Sequence, residues 1–492
     1  MLHPGYLLLI PSPGMICPAR PHRHRWAVIS GSIEPDDPSP QAAAWREILE
    51  ETTLTPSSLE LMRQGKSYVL PDESIGREWN INPFAFRLKD ESEGGKGEKA
   101  IVLDWEHETW AWYDPFEIED SESFGAVPRL AESLRRVWFE KDLGVDAGAV
   151  LTNGLDRLKN DHQSGARQLA GAALEILRDI VLKMDTRQPL DVWWTKIRFA
   201  SWHIWKNGRE SMGAAILSVL LAALKSMEDI IWQHKDDLST SARRDASSTI
   251  THALRNVIAH TGISLDLRVL ESRPLFEGVS LSSSLINAVP PSFERSTVVH
   301  ANEPEQHRKA PVPKLQVTLY TDASSALASE DVDIVLIGAD RIAESGAVSN
   351  KTGSLPAVLS AKHISPGAKT VILSESGKVA PPGVAAAHVV EDNGPTQLVR
   401  AWKADFNGER VKRAAGTLPS TPTGEHDDGQ SHPQQPLGND TVQVDIRNVL
   451  FEWVPPELVD VYVTEQGLWT VADIRKHSEA LGIEEERFFK DI

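Results

Sequence analysis

The sequence predicts an α/β protein in two parts: a small N-terminal domain of strands and helices, then a larger domain in which helices precede a parallel sheet. Two patterns carry this expectation. Near the N-terminus a β-like run from Trp26 to Glu34, turning at Gly31, leads into an alanine-rich helix with a crowded carboxylate face. After Gly262, β-rich runs at Leu265–Leu270, Gln316–Tyr320, Val332–Ile337 and Thr370–Leu373 alternate with helix-like segments. Such alternation is the pattern of a parallel, doubly wound sheet.

At 492 residues the chain exceeds one ordinary core, so two or three domains are expected. Its formal charge of −19 argues against a nucleic-acid backbone or an anionic membrane as partner, since both demand clustered Lys and Arg. The single cysteine, Cys17, forbids an internal disulfide and fits a reducing, cytoplasmic compartment. No run approaches the length needed to cross a bilayer, and the most apolar stretch, Met212 to Leu224, reads as a buried helix. Tyr6–Ile10 is too short for a signal-peptide core and is soon followed by Pro11 and Pro13, so it reads as a strand.

Leu130, Leu134, Val137 and Trp138 recur at helical spacing between Val127 and Glu140 and close the first domain, placed at residues 1–145. Lys141–Asp146 reads as a short linker. Residues 150–262 read as helical, with helices at Ala166–Leu182 and Trp205–Leu224. Trp193, Trp194, Trp202 and Trp205 crowd the interval between them, as core rather than as a stacking platform. The sheet domain takes residues 263–492. Its segment 411–440, rich in Pro, Ser, Thr, Gly and Gln, is expected to be a disordered insertion.

Glu47, Glu50 and Glu51 fall at i, i+3 and i+4 and share one helix face, a crowding that a divalent cation would answer. Oxygen-only ligands favour magnesium or manganese over zinc. A solvated acidic helix would carry similar charge. The order of strand, turn, arginine and carboxylates argues against that reading. Gly31, Arg46-Glu47-Ile48 and Glu50-Glu51 resemble the Nudix hydrolase box, G-x5-E-x7-R-E-U-x-E-E-x-G-U with U aliphatic, and Trp110–Pro115 is similar to the strand that follows in that fold. Two departures stand out. The midway carboxylate would be Asp37, eight rather than seven residues ahead of Arg46, and Thr53 replaces the last glycine.

The resemblance implies a Nudix α/β/α sandwich and a magnesium- or manganese-dependent hydrolase of a nucleoside diphosphate derivative. Glu47, Glu50 and Glu51 would be ligands, and Arg46 would orient them through a bidentate contact. Glu47 or Glu50 would also take a proton from the attacking water. A further glutamate from a downstream loop is implied, for which Glu106 is preferred to Glu108. Such a domain commonly has more chain ahead of its first strand, so a clipped start is expected.

In parallel sheets ligands sit beyond the carboxyl ends of the strands. That rule selects Glu271–Pro274, Thr321-Asp322 and Gly338-Ala-Asp340, with Asn350-Lys351 following after a turn at Gly346. A bland alternative has Asp340 capping a turn and Lys351 solvated. Glu277-Gly278, Phe451–Asp460, Asp161–Ala166 and Thr251-His252 add to these in a fixed order. From about Leu151 to near the C-terminus the chain resembles the family shared by initiation factor 2B regulatory subunits, ribose-1,5-bisphosphate isomerase and methylthioribose-1-phosphate isomerase. The resemblance implies a Rossmann-like sheet domain of the initiation factor 2B type and a homodimer formed through it. It also implies a sugar-phosphate pocket of Arg209, Arg273, Asp340, Asn350 and Lys351, with the three cations facing phosphate. Arg209-Glu-Ser matches the isomerases' Arg-Pro-Ser/Thr only loosely. In those isomerases a cysteine and an aspartate move protons. The aspartate maps onto Asp340 and the cysteine onto Ala253, which has no group to shuttle a proton, so no isomerase activity by that mechanism is expected.

The leading functional expectation is a Nudix-type hydrolase fused to a noncatalytic sugar-phosphate-binding domain. The alternative is a regulatory protein whose Nudix portion is inactive. One idea joins the halves: hydrolysis of ADP-ribose releases ribose 5-phosphate, the kind of molecule the second domain would recognise.

Overall fold

The computed structural model describes residues 7–11, 25–72, 76–105, 107, 109–114, 116–119, 121–127, 129–162, 164–185, 187–233, 265–273, 276–288, 315–383, 391–392, 398 and 447–492. Cys17, Glu106, Glu108, Thr251, His252, Ala253 and the segment 411–440 lie outside the described residues. The chain divides into two compact units, residues 1–226 with 483–492, and residues 227–482.

In the first unit, strand β1 (Leu7–Pro11) pairs antiparallel with β2 (Trp26–Ala27) and, further along, with β7 (Ala111–Tyr113). Between them run helix α1 (Pro40–Thr52), β3 (Leu59–Gln64), β4 (Tyr68–Asp72), β5 (Arg77–Ile81) and β6 (Phe84–Leu88). β3 pairs antiparallel with β6, and β4 with β5. α1 buries Ile48 against Leu54 and Leu59, with Trp45, Phe86 and Leu88 packed around them. Each such aliphatic side chain taken from water contributes about 1.5–3 kcal/mol.

Helices follow: α2 (Leu130–Val137), α3 (Glu140–Leu143), α4 (Val145–Asn160), α5 (Ala166–Lys183), α6 (Leu190–Asn207) and α7 (Gly213–Gln233). Three sequence expectations change here. The supposed linker Lys141–Asp146 is α3 running into α4, separated only by Gly144, whose φ of 86° a residue with a Cβ adopts poorly. The single helix expected at Trp205–Leu224 is the end of α6 and the start of α7. Between them the chain leaves helical geometry at Gly208 and Arg209 before a 3₁₀ turn at Glu210–Met212. α6 also begins earlier, at Leu190, so the four tryptophans ride one helix, with Trp202 and Trp205 buried. Finally, Glu210–Glu228 has the length and mean hydropathy, 1.4, of a membrane span, contrary to the sequence reading; 56% of it is buried inside the fold, as in a core helix.

Strand β3 meets these helices through polar contacts. Asn207 on α6 accepts from the Gln64 backbone N–H at 2.8 Å and donates to the Gln64 carbonyl at 2.9 Å. The buried Arg63 guanidinium pairs with the buried Glu140 carboxylate at 2.5 Å, and Thr152 on α4 donates to the same carboxylate.

In the second unit, β8 (Leu265–Leu270) and β9 (Leu315–Tyr320) pair in parallel, with α8 (Glu277–Ala288) between them in sequence. A second sheet has the order β10 (Ile334–Gly338), β13 (Lys369–Leu373), β15 (Val461–Thr464) and β16 (Gly467–Trp469), parallel except at β16. β11 (Arg341–Ile342), β12 (Val348–Lys351) and β14 (Phe451–Val454) form a small antiparallel sheet. Helix α9 (Ser354–Ile364) follows β12, and α10 (Val471–Phe489) follows β16. The core comprises Ala339, Ile342, Val348, Val358, Ile372, Val379, Val454, Tyr462 and Ile474. The four strands read from the β-rich runs are all present, and β10, β13, β8 and β9 are parallel as expected.

Candidate functional site

α1 starts where its sequence dictates. The Ser39 hydroxyl accepts from the Ala42 N–H at 3.1 Å, and Pro40 occupies the first turn, where no backbone donor is needed. This start fixes which residues face the turn at Gly31. A Cβ on Gly31 would lie 1.9 Å from Glu47 Cδ, so the carboxylate rests directly against the glycine backbone.

Arg46 is the hub of this region. It donates to Asp37 through Nε at 3.3 Å and Nη2 at 2.9 Å, to Glu47 Oε1 at 2.7 Å, to Glu50 Oε2 at 3.2 Å and to the Ser32 carbonyl at 2.8 Å. The forked geometry of a guanidinium makes such a multiple grip possible. The Arg46 hydrogen bond, with the Glu34 backbone N–H second, holds the Asp37 carboxyl below its usual range. The carboxylates of Asp37 and Glu47 in turn raise Arg46 above its own. Asp37 thus anchors the arginine rather than joining the three glutamates. The turn that presents Asp37 is closed by the Glu34 N–H to Asp37 Oδ2 at 2.8 Å.

Glu50 is exposed and Glu51 buried. Glu51 lies 3.4 Å from Nε2 of His107, whose Nδ1 is held by Asp104 at 2.7 Å. Two backbone bonds, Val102 N–H to the Thr52 carbonyl and Asp104 N–H to the Glu51 carbonyl, tie this loop to the end of α1. A second nitrogen fixed by a carboxylate sets the orientation of an imidazole. His107 stands between Glu106 and Glu108, and the sequence reading assigns it no role. The legible signal was Asp104 three residues before it.

The three glutamates offer only oxygens, the donor set suited to magnesium or manganese. Among the described residues, however, no group of three or more His, Cys, Asp and Glu side chains is arranged to hold a metal ion. Arg46 engages Glu47 and Glu50, and Glu51 faces His107. Glu106, the fourth ligand expected, lies outside the described residues.

Four of the five residues expected around a sugar phosphate lie in the second unit and the fifth, Arg209, in the first. Arg209 is buried and its guanidinium donates to the Asp161 carbonyl. In the second unit, Asp322 beyond β9 accepts from the backbone N–H groups of Ser272 at 2.9 Å and Arg273 at 2.7 Å. Ser272, in this clamp, and Phe276 have φ of 60° and 56°, unfavourable for both. Arg273 donates to Glu271 at 2.7 Å and lies 5.2 Å over the Phe276 ring; Glu271 raises its pKa.

Asp340 follows β10, its N–H bonded to the Ser349 carbonyl at 2.9 Å. Asn350 donates to Ser354 at 2.8 Å, and its Oδ1 would stand 3.6 Å from a Cβ on Gly338, which brings the amide beside the end of β10. Lys351 lies 3.7 Å from Glu277 and 4.8 Å over the Phe451 ring. Sequence reasoning missed Lys378. Its ammonium donates to the Ala339 carbonyl at 2.9 Å and stands 3.8 Å from Asp340 Oδ1. The strand-end rule, applied to Thr370–Leu373 as it was to the other strands, would have pointed to this turn.

A carboxylate-bearing helix domain thus precedes an α/β domain with polar residues gathered at its strand ends. Residues 4–137 match the NUDIX domain, and residues 312–471 match the initiation factor 2 subunit family. The chain therefore carries a Nudix domain followed by a domain of the initiation factor 2 subunit type. Among curated proteins it is similar to methylthioribose-1-phosphate isomerase of Lachancea thermotolerans, 30% identical over 164 residues, which covers 32% of this chain and 36% of that one. The enzyme of the same name from Anaeromyxobacter is 32% identical over 130 residues, 21% of this chain and 38% of that one. Both matches span little more than a third of the relative's length. Among solved structures, the translation initiation factor eIF-2B of Pyrococcus horikoshii aligns at 18% identity and a TM-score of 0.38, covering 65% of this chain and 96% of that one. The 5-methylthioribose 1-phosphate isomerase of the same organism aligns at 16% identity and a TM-score of 0.38, covering 67% and 87%.

Proposed function

We propose that the first unit is a magnesium- or manganese-dependent hydrolase of a nucleoside diphosphate derivative, and that the second binds a sugar phosphate without isomerising it. The observation that carries the hydrolase reading is the Glu47 carboxylate seated on Gly31 and braced by Arg46, on the helix that also bears Glu50 and Glu51. In this reading Glu47, Glu50 and Glu51 hold the metal, which when bound supplies charge neutralisation and an acidified water. Arg46 keeps the carboxylates aimed, and Glu47 or Glu50 accepts the water's proton. The matching Nudix domain supports hydrolase chemistry in general. Ala253 at the cysteine position of the isomerases is the ground for assigning no isomerase activity. We further read the protein as a cytoplasmic homodimer acting on small molecules, from the single cysteine, the acidic charge and the initiation factor 2-type domain.

The test is a panel of ADP-ribose, dinucleoside polyphosphates and NADH with magnesium. Hydrolysis that disappears on chelation and in a Glu50→Gln, Glu51→Gln double variant is expected. Turnover unchanged in that variant would sink the assignment.

A second reading, a binding protein with an inactive Nudix portion, is favoured by Arg46 occupying oxygens of Glu47 and Glu50 and by the absence, among the described residues, of a grouped metal site. Calorimetric binding of ribose phosphates with no hydrolysis of any panel member would select it.

A further inference from the structure

We propose that Lys66 and Arg136 form a phosphate-binding site on the first unit, between the turn that joins β3 to β4 and the last turn of α2. The site goes beyond the hydrolase and sugar-phosphate readings and uses none of their residues. Gly65 lies so close to α2 that a Cβ there would stand 2.9 Å from the Arg136 carbonyl oxygen, which seats the turn on the helix end. Lys66 comes next, half-buried, and the half-buried Arg136 guanidinium is near enough for its charge to act on the ammonium. Burial first, and that charge second, hold the Lys66 pKa below its usual range.

Two neighbouring cations repel unless an anion answers both. Elsewhere in this unit the answer is internal: Arg63 pairs with Glu140, Arg87 with Glu60 and Glu93, and Arg198 with Asp491. Among the described residues, Lys66 and Arg136 have no ion pair and no side-chain hydrogen bond. The carboxylates whose charge reaches Lys66 are Asp491, which Arg198 already engages at 2.7 Å, and Glu485. A cation in the last turn of α2 answers the helix dipole, which accounts for Arg136 but not for the ammonium beside it. Arg136 is also held in place. Its Cζ lies 5.0 Å over the Tyr68 ring and 5.5 Å over the Phe199 ring, contacts that fix the guanidinium without consuming its N–H groups. The Tyr68 and Ser133 hydroxyls share one hydrogen bond of 2.6 Å, so one hydroxyl proton remains to be given. An ammonium, a forked guanidinium and a hydroxyl suit a compact dianion with several oxygens, which is a phosphate or a phosphomonoester. A carboxylate, with one charge, would leave one of the cations unanswered.

Acetic anhydride labelling of the full-length protein, read peptide by peptide by mass spectrometry, tests the site at Lys66 itself. Inorganic phosphate, AMP and ribose 5-phosphate are added separately, at an ionic strength held constant with sodium chloride. Inorganic phosphate or an ester, well above its Kd, is expected to slow acetylation of Lys66 by about tenfold or more, as mass action requires, while chloride does not. Protection by inorganic phosphate supports a site for the free ion, and protection by the esters alone supports a site for a phosphomonoester. Arg136→Gln is expected to abolish the protection while leaving Lys66 open to acetylation. If that variant fails to fold, Arg136→Lys, which keeps the charge and loses the fork, is expected to need about tenfold more ligand for the same protection. Lys66 acetylated equally fast with all three compounds, or slowed as much by chloride, overturns the site. Undiminished protection in whichever Arg136 variant folds overturns it too. None of these outcomes depends on hydrolysis in the first unit or on ribose phosphates binding in the second, so the site and the proposed function fail separately.

Discussion

The Glu47 carboxylate occupies the space that a side chain at residue 31 would need, with Cδ and Oε1 each 1.9 Å from the position of a Gly31 Cβ. The obstruction is the tip of a flexible side chain, so a methyl group there displaces the carboxylate and leaves the fold standing. Gly31→Ala should melt near the wild type and lose roughly tenfold or more in metal-dependent hydrolysis, as misplacement by about an ångström does to catalytic groups. Undiminished turnover in this variant would mean that the seat of Glu47 has no part in the chemistry.

Thr53 ends α1 at φ 58°, ψ 7°, with its N–H bonded to the Leu49 carbonyl at 2.9 Å. The left-handed conformation costs a residue with a Cβ roughly 1–2 kcal/mol, and a β-branched one is an outlier there. Thr53→Gly should therefore raise stability by roughly 0.5–1 kcal/mol, after allowance for the added backbone freedom of the unfolded chain. Chemical denaturation that shows a loss would place the value of Thr53 in its hydroxyl, 3.4 Å from the Ala100 carbonyl.

Arg63 and Glu140 are both buried, and each depends on the other. Glu140→Gln alone should cost about 3–5 kcal/mol, because it strands the guanidinium. Arg63→Met with Glu140→Leu should recover much of that, since an apolar pair of similar volume leaves no charge unanswered. Urea unfolding of the two variants beside the wild type checks the order; equal losses in the single and double variants would contradict it.

His203 is wholly enclosed, stacked on Phe139 and edged by Phe199 and Trp202. Burial, with the nearby Arg63 charge second, lowers its pKa from 6.5 to about 3. Between those values the unfolded chain binds a proton that the folded chain refuses. Its contribution is complete above pH 6.5 and shrinks as pH falls towards 3, by about 1.4 kcal/mol per unit. His203→Gln should remove that part of the slope of stability against pH, measured from pH 7 to pH 4. Parallel slopes for the two proteins would show that other groups set the acid sensitivity.

The carboxylate helix was legible because its signal is local. Ser39, Pro40, Arg46 and the glutamates lie within one helix and its cap, where spacing maps directly onto geometry. The four parallel strands were legible from their β-branched runs. The α6 to α7 break falls inside the polar run Lys206–Ser211, at Gly208, a local signal that the single-helix reading passes over; Asn207 and Arg209 there find partners at Gln64 and Asp161. β14 and β15 escaped for a different reason: at four residues each they define themselves by pairing with β12 and β13. His107 and Lys378 show the same limit at the sites, since each is marked by what it meets rather than by what surrounds it in sequence.

The pairing of Gln64 with Asn207 spans 143 positions. On a ribosome, where synthesis runs from the N-terminus, both backbone groups of Gln64 emerge long before the amide that will satisfy them. The last residue of β3 must therefore keep water as its partner until α6 has been made, so the early domain cannot be finished by the residues matched to it alone.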